Sequence, residues 1–458
     1  MSSTTAPENL AAVFKAYDVR GTVPDQIDAA LARAAGSAFV EVVAAVGGSV
    51  VVGHDMRPSS PGLAAAFADG ATSAGADVVM IGLCSTDELY FASGRFASPG
   101  AMFTASHNPA GYNGIKLCRA HAVPVGADTG LHTLRDLVGV GGTTSSPPRR
   151  GTITEVDVLP EYADHLLTLA PVAGRRLSVV VDAGNGMAGH TVPSVLGHLD
   201  LDVDALYFEL DGTFPNHEAN PIDPATMTDL VARVREVGAD VGLAFDGDAD
   251  RCFLVDERGE LVSPSVLTAL IASRELAAHP GATVIHNLIT SRAVPEIVTE
   301  LGGTPVRTRV GHSFIKASMA QTDAVFGGEH SGHFYFRDFW RADSGLLAAL
   351  HALAALAEYD GSLSELLSQY SRYVASGEIN STVADQAEVL GRIEKEYGDR
   401  PDVAVDHLDG LTVSHDAWWF NVRASNTEPL LRLNAEATDV VTMSQVRDDV
   451  LAMIRRDA

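Results

Sequence analysis

At 458 residues the chain is too long for one ordinary core, and three or four domains of roughly 100 to 150 residues are expected. Hydrophobic residues at 46% and charged residues at 20% exclude a disordered chain. Against 32 Lys plus Arg stand 59 Asp plus Glu, a net charge of −27 that repels polyanions and argues against a nucleic-acid partner.

In chain order, the opening MSSTTAPENL has no basic stretch followed by an apolar one, and no run of about 18 apolar residues follows anywhere, so neither secretion nor membrane spanning is expected. Cys84, Cys118 and Cys252 are odd in number, far apart and without metal-type spacing, which points to reduced thiols in a cytoplasm. The first repeat of strand, helix and strand reads SVVVGHD, SPGLAAAFADGATSAG, ADVVMIG. Short apolar runs alternating with helical stretches predict βαβ units. FTASHNPAGYNGIKL, residues 103–117, comes next. Pro109 fixes the backbone, and Gly111, Asn113 and Gly114 permit tight turns, so Ser106 is presented on a short rigid loop. Taken alone, the stretch also reads as an ordinary polar turn. GGTTSSPPRR, residues 141–150, concentrates Gly, Ser and Pro and is a linker.

The second repeat reads LSVVVDAGNG, HTVPSVLGHL, VDALYFE. It leads to VGLAFDGDADRCFLVD, where Asp246, Asp248 and Asp250 occupy every second position between two apolar strands. In extended backbone those carboxylates project to one side and repel unless a hard cation sits among them, as Mg²⁺ does with oxygen ligands. A calcium loop is an alternative, with Glu257 as its twelfth residue, but its sixth would be Arg251 where glycine is needed. A solvated acidic turn is the other. Arg258-Gly259 reads as a hairpin turn and a domain boundary, and another boundary falls near residues 370–375.

The third repeat reads ATVIHN, SRAVPEIVTELGG, TPVRTRV, and FGGEHSGHFYF, residues 326–336, then offers Glu329, Ser331 and His333 among glycines. Alternate polar groups of this kind suit sugar hydroxyls, although ordinary loops share the composition. The chain ends with a charged helix, ADQAEVLGRIEKEYG, the strands LTVSHD, AWWFNVRAS and LLRLNAEA, and the helix MSQVRDDVLAMIRR, a smaller α+β domain. Between two of those strands Arg423, Ser425, Asn426 and Thr427 form a loop closed by Pro429, suited to a phosphate or to a plain hairpin.

In this order and spacing TASHNP, DGDADR, GEHSGH and RASNTEP resemble the α-D-phosphohexomutase superfamily, most closely its phosphomannomutase/phosphoglucomutase branch, over essentially the whole chain. The resemblance implies a heart-shaped four-domain α/β architecture, three related mixed α/β domains plus a C-terminal α+β domain around a central cleft. The domains would be 1–150 with a phosphoserine loop, 151–256 with a metal loop, 257–371 with a sugar-recognition loop and 372–458 with a phosphate-binding loop. It implies that Ser106 is a phosphoserine in the active enzyme and that Mg²⁺ is held by its phosphate with Asp246, Asp248 and Asp250. Arg20, His107, Lys116 and Arg251 would serve the transferred group. Tyr17, His312, Glu329, Ser331, His333, Arg423, Ser425, Asn426 and Thr427 would bind substrate.

The implied reaction interconverts mannose 6-phosphate and mannose 1-phosphate, with some phosphoglucomutase activity, through a hexose 1,6-bisphosphate that is both intermediate and activator. The implied partner is a small phosphosugar, and the chain would be a monomer or weak dimer. A phosphoglucosamine mutase, a glucose-preferring enzyme, a phosphatase and a non-catalytic phosphosugar binder are the alternatives. Three features depart from the branch: His330 where many dual-specificity members carry Met, an aromatic-rich FYFRDFW beside it, and Ile289 where relatives often place a substrate-contacting lysine. Arg292 is a candidate replacement for that lysine.

Overall fold

In the computed structural model, residues 6–45, 47–143, 147–398, 400–424 and 430–456 are described. The chain divides into two units, residues 1–263 with 331–364, and residues 264–330 with 365–458.

In the first unit the run SVVVGH forms the strand Ser49–His54, central because its apolar side chains are buried on both faces. It pairs in parallel with Asp77–Leu83 and Gly100–Phe103. Tyr112–Arg119 returns antiparallel to Gly100–Phe103, and Val19–Thr22 adds antiparallel at the edge. At the other edge Ile153–Glu155, from beyond the linker, pairs in parallel with Asp77–Leu83. Helices Ala29–Phe39 and Ser60–Ser73 cover one face and complete a core that includes Phe39, Phe67 and Phe103.

The second sheet has the order Leu261–Val262, Cys252–Asp256, Val241–Phe245, Leu177–Asp182, Leu201–Leu206. Its last three strands are parallel, and the hairpin expected at Arg258-Gly259 joins the first two, with Gly259 at a φ of +76°. The unit also holds an antiparallel pair, Phe334–Phe336 with Ala342–Asp343, and the buried helix Gly345–Glu358. The aromatic stretch FYFRDFW is packing material: Phe334, Tyr335, Phe336 and Phe339 are buried, and the Trp340 ring lies 5.3 Å from His165 and 6.0 Å from Phe91. These rings pack in the interior, and Tyr335 stacks on His333 with centroids 6.2 Å apart.

In the second unit Thr304–Thr308, Thr283–Asn287 and Phe326–Gly328 run parallel. The C-terminal sheet is wholly antiparallel, in the order Val374–Thr382, Leu430–Ala437, Trp418–Ala424, Leu411–Ser414, Ala404–Asp406. One face carries Phe420, Val422, Leu431 and Leu433 onto helices Gln386–Tyr397 and Val440–Ile454, which supply Ile393 and Val450. All three cysteines are buried, and among the described residues no helix is long and apolar enough to cross a membrane.

Candidate active site

Ser106 follows the strand Gly100–Phe103, almost wholly buried, with a left-handed backbone φ of +50°. Its backbone N–H donates to Thr104 Oγ1 at 2.9 Å. Its hydroxyl donates to Asp246 Oδ2 at 2.6 Å and lies 3.3 Å from His107 Nδ1. The two loops approach so closely that a Cβ on Gly247 would fall 2.4 Å from the Ser106 carbonyl oxygen. Only glycine fits there.

Asp246, Asp248 and Asp250 are buried, and one carboxylate oxygen of each lies within 4.8 Å of the others. They do not converge by strand alternation as expected. The strand ends at Phe245, and residues 246–250 form a turn in which Ala249 takes a φ of +62°. An extended run would space alternate side chains about 7 Å apart; the turn draws them closer. Lys116 Nζ reaches Asp248 Oδ2 at 2.7 Å and Asp250 Oδ2 at 2.5 Å. Arg251 places Nε 3.5 Å from Asp246 Oδ2, and Thr86 donates its hydroxyl to Asp248 Oδ2 at 2.5 Å. Asp248 Oδ1 and Asp250 Oδ1 remain solvent-inaccessible without a hydrogen-bond partner among the described residues. Buried oxygens left unsatisfied on a converging carboxylate trio are what a hard cation requires. The calcium-loop alternative fails: Glu257 turns away and accepts from the Ser364 backbone N–H at 3.1 Å and from its hydroxyl at 2.5 Å.

The electrostatics follow from this crowding. Burial, then the neighbouring Asp248, pushes Asp246 up to about 6. Burial and Asp248 likewise hold Asp250 well above the usual carboxylate range. Burial also opposes ionisation of Asp248, yet Lys116 and the Thr86 hydroxyl pull it below the ordinary value. Burial works against charge on Lys116 too, but the aspartates keep it protonated. The Arg251 charge, with burial and Arg20, pushes His107 down to about 2, so the imidazole is neutral. Arg20 donates to Asn108 Oδ1 at 2.7 Å and to Asp18 Oδ2 at 2.5 Å, which ties the edge strand to the serine loop. Tyr17 is half-buried just before that strand.

The sugar motif is divided. In the first unit Ser331 Oγ lies 2.9 Å from His333 Nδ1, and His333 Nε2 accepts from Arg251 Nε at 3.2 Å, with Asp250 Oδ1 at 3.5 Å and Asp343 Oδ2 at 4.0 Å. In the second unit buried Glu329 accepts through Oε1 from the Gly311 backbone N–H at 3.1 Å, and His312 begins the helix His312–Thr322 that follows. Ile289 is buried, and Arg292 spends its guanidinium on the carbonyls of Asp416 at 2.7 Å and His415 at 3.0 Å. Arg292 therefore latches the parallel strands' helix to the C-terminal sheet and is not placed as a spare cation for the missing lysine. Arg423 donates to Glu378 Oε2 at 2.6 Å, while Ser425, Asn426 and Thr427 lie outside the described residues.

Sequence reasoning overlooked Arg57. Its side chain is fully buried and donates to the carbonyls of Ser106 at 2.8 Å, Asn108 at 2.6 Å, Pro109 at 2.8 Å and Tyr112 at 3.0 Å. Its Nε lies 3.2 Å from Asp55 Oδ2, and Asp55 accepts from the Ser60 hydroxyl at 2.5 Å. One guanidinium thus ties down the whole serine loop. A lone arginine following a buried strand in an acidic chain was the available signal.

A multi-domain α/β protein that buries a serine against a trio of aspartates belongs to a narrow class, and the comparisons say which. Models of phosphoglucomutase/phosphomannomutase match in four consecutive stretches: alpha/beta/alpha domain I over residues 11–137, domain II over 160–259, domain III over 263–373 and the C-terminal domain over 378–453. A phosphomannomutase of Escherichia coli is 40% identical across 96% of this chain and 99% of its own. Phosphohexose mutases of Xanthomonas campestris pv. campestris are 39% identical across 97% and 99%. The crystal structure of a phosphoglucomutase/phosphomannomutase family protein from Burkholderia thailandensis superposes with a TM-score of 0.88 at 32% identity, over 100% of this chain and 99% of that one. The chain belongs to the phosphoglucomutase/phosphomannomutase family, a family of mutases.

Proposed function

We propose that this chain is a phosphohexomutase that interconverts mannose 6-phosphate and mannose 1-phosphate, and glucose phosphates as a secondary activity, through a phosphoserine at Ser106. The observation that carries the reading is the 2.6 Å contact between Ser106 Oγ and Asp246, beside two buried carboxylate oxygens without a hydrogen-bond partner among the described residues. Asp246, Asp248 and Asp250, with the Ser106 phosphate, would hold Mg²⁺, which when bound supplies positive charge to the phosphoryl oxygens. Lys116 and Arg251 contribute positive charge around the same oxygens, so this chain acts on phosphoryl transfer chiefly by alignment and electrostatics. Asp246 accepts from the Ser106 hydroxyl and is in reach to take its proton when the group returns, while the neutral His107 ring, too weak a base for that, orients the hydroxyl.

Ser106 gives its phosphoryl group to the free hydroxyl of the sugar monophosphate. The resulting hexose 1,6-bisphosphate returns its other phosphoryl group to Ser106. Glu329 and Ser331 are assigned to ring hydroxyls, Tyr17, His312 and His333 to the substrate as well, and Arg20 to the transferred group. Arg423, Ser425, Asn426 and Thr427 are assigned to the phosphate that is not reacting. The domain limits at residues 150, 256 and 371 belong to the same proposal. Protein loaded with Mg²⁺ and primed with a trace of glucose 1,6-bisphosphate should convert mannose 6-phosphate to the 1-phosphate, followed by phosphorus NMR. Glucose 6-phosphate should react more slowly in the same preparation. Absence of both conversions, or steady release of inorganic phosphate instead, overturns the proposal.

A further inference from the structure

The helix Thr86–Arg95 begins against the acidic loop, and its first residue makes two bonds to one aspartate. The Thr86 backbone N–H donates to the Asp248 carbonyl at 3.0 Å, and the Thr86 hydroxyl donates to Asp248 Oδ2 at 2.5 Å. An N–H in the first turn has no partner inside its own helix, so spending it on a neighbouring loop costs no helical bond. Both residues are fully buried, so water does not compete for either contact.

Thr86 is itself held in place. Ser85 caps the helix, and Asp87 accepts from the hydroxyls of Tyr162 at 2.7 Å and Ser344 at 2.6 Å. A threonine side chain is also stiff about χ1. Lys116 gives its ammonium to the same Asp248 Oδ2 at 2.7 Å and to Asp250 Oδ2 at 2.5 Å, but from the end of a flexible stem. Two kinds of donor thus meet on one oxygen, one free to swing toward a phosphoryl group and one fixed. Asp248 Oδ1, on the other side of the carboxylate, has no hydrogen-bond partner among the described residues. A carboxylate with one oxygen committed to a fixed donor offers an ion one oxygen, not two. Mg²⁺ accepts that readily in its near-octahedral shell, whereas the larger Ca²⁺ takes more oxygens and often two from one carboxylate.

We infer that Thr86 is a positioning residue for the acidic loop. Its hydroxyl holds Asp248 Oδ2 while Lys116 serves the phosphoryl group, so Asp248 presents a single oxygen and the site prefers Mg²⁺ to Ca²⁺. This rests on the reading that Asp246, Asp248 and Asp250 hold the ion, and adds to it a residue from a separate segment of the chain.

Full-length protein titrated calorimetrically with Mg²⁺ alone, and separately with Ca²⁺ alone, tests this without turnover. Thr86→Val keeps the shape and loses the hydroxyl. It should weaken Mg²⁺ binding about ten-fold, the loss expected for one hydrogen bond to a charged group, and leave Ca²⁺ binding within about two-fold. Thr86→Ala, which opens a gap but forces no clash, should show the same narrowed preference if Thr86→Val does not fold, and Thr86→Ser should recover most of it. In turnover, the Mg²⁺ concentration for half-maximal rate should rise by the same factor in Thr86→Val, while the KM for mannose 6-phosphate stays unchanged. A residue that merely supports the fold would weaken both ions alike. Equal weakening of both ions, or Mg²⁺ affinity unchanged in the hydroxyl-free variants, overturns the inference and leaves the three aspartates standing as the metal site. Absence of Mg²⁺ binding by the natural protein removes the metal reading itself, and this inference with it.

Discussion

Ser106 holds a φ of +50°, a conformation that costs a side-chain-bearing residue about 1–2 kcal/mol and must be enforced by its surroundings. Arg57 enforces it. Four carbonyl acceptors from residues 106 to 112 converge on one buried fork, and the Asp55 carboxylate balances its charge. If the serine carries the phosphoryl group, Ser106→Ala should fold normally and lose nearly all mutase turnover. Retention of more than about a tenth of the rate, ~1.4 kcal/mol in barrier, would count heavily against that role. Arg57→Lys separates positioning from chemistry. An ammonium cannot span four carbonyls, so kcat should fall on the order of a hundred-fold while KM stays within about three-fold, the pattern of a misplaced reacting group. A kcat loss for Arg57→Lys that is smaller than that of Ser106→Ala, with KM nearly unchanged, would fit; a rise in KM alone would not. That Ser106 and the aspartates share one site was legible only through the resemblance of the motifs taken together, since the serine stretch alone also reads as an ordinary polar turn. Arg57 was not, because all its hydrogen-bond acceptors are main-chain carbonyls, which leave no trace in side-chain spacing.

The helix Thr86–Arg95 shows how one element can carry a pH dependence. Ser85 and Glu88 form a reciprocal cap at its start, and Asp87 accepts from the hydroxyls of Ser85 at 2.5 Å, Ser344 at 2.6 Å and Tyr162 at 2.7 Å. Both acids are buried. Burial raises Asp87 to about 6, and burial with the adjacent Asp87 charge raises Glu88 from 4.5 to about 8. An acid with a raised folded-state pKa binds its proton more tightly when folded. Its stabilising contribution is therefore complete below the ordinary carboxylate range and is lost as pH climbs through the folded value. The unfolding free energy should fall as pH rises from 5 to 9, by a few kcal/mol in all at roughly 1.4 kcal/mol per pKa unit, seen as a falling thermal midpoint. Glu88→Gln should flatten the upper part of that slope; an unchanged slope would remove Glu88 as its source. The three strand–helix–strand repeats were readable from sequence because their first strands, Ser49–His54, Leu177–Asp182 and Thr283–Asn287, are short and mostly buried, hence runs rich in apolar residues. The strand Val374–Thr382 escaped notice because only Ser381 along it is buried, and a bulge between Ala375 and Glu378 breaks the alternation.

For the whole molecule, a net charge of −27 raises the question of what the fold loses by burying three of its carboxylates together. Lys116 and Arg251 offset part of the repulsion, yet Asp246 and Asp250 are still held above their ordinary range, so the ionised trio opposes folding near neutral pH. Two consequences of opposite sign follow. Without divalent ions, Asp250→Asn removes one buried charge and should raise the unfolding temperature by a few degrees. With Mg²⁺, the natural protein gains the binding free energy of an ion that needs the folded loop, about 2.7 kcal/mol at a hundred times Kd, and the variant gains little. The two melting curves should therefore cross as Mg²⁺ is added. A Mg²⁺-dependent rise equal in both proteins would mean that the ion is held elsewhere. A variant less stable than the natural chain in chelator would mean that the Lys116–Asp250 pair at 2.5 Å outweighs the repulsion.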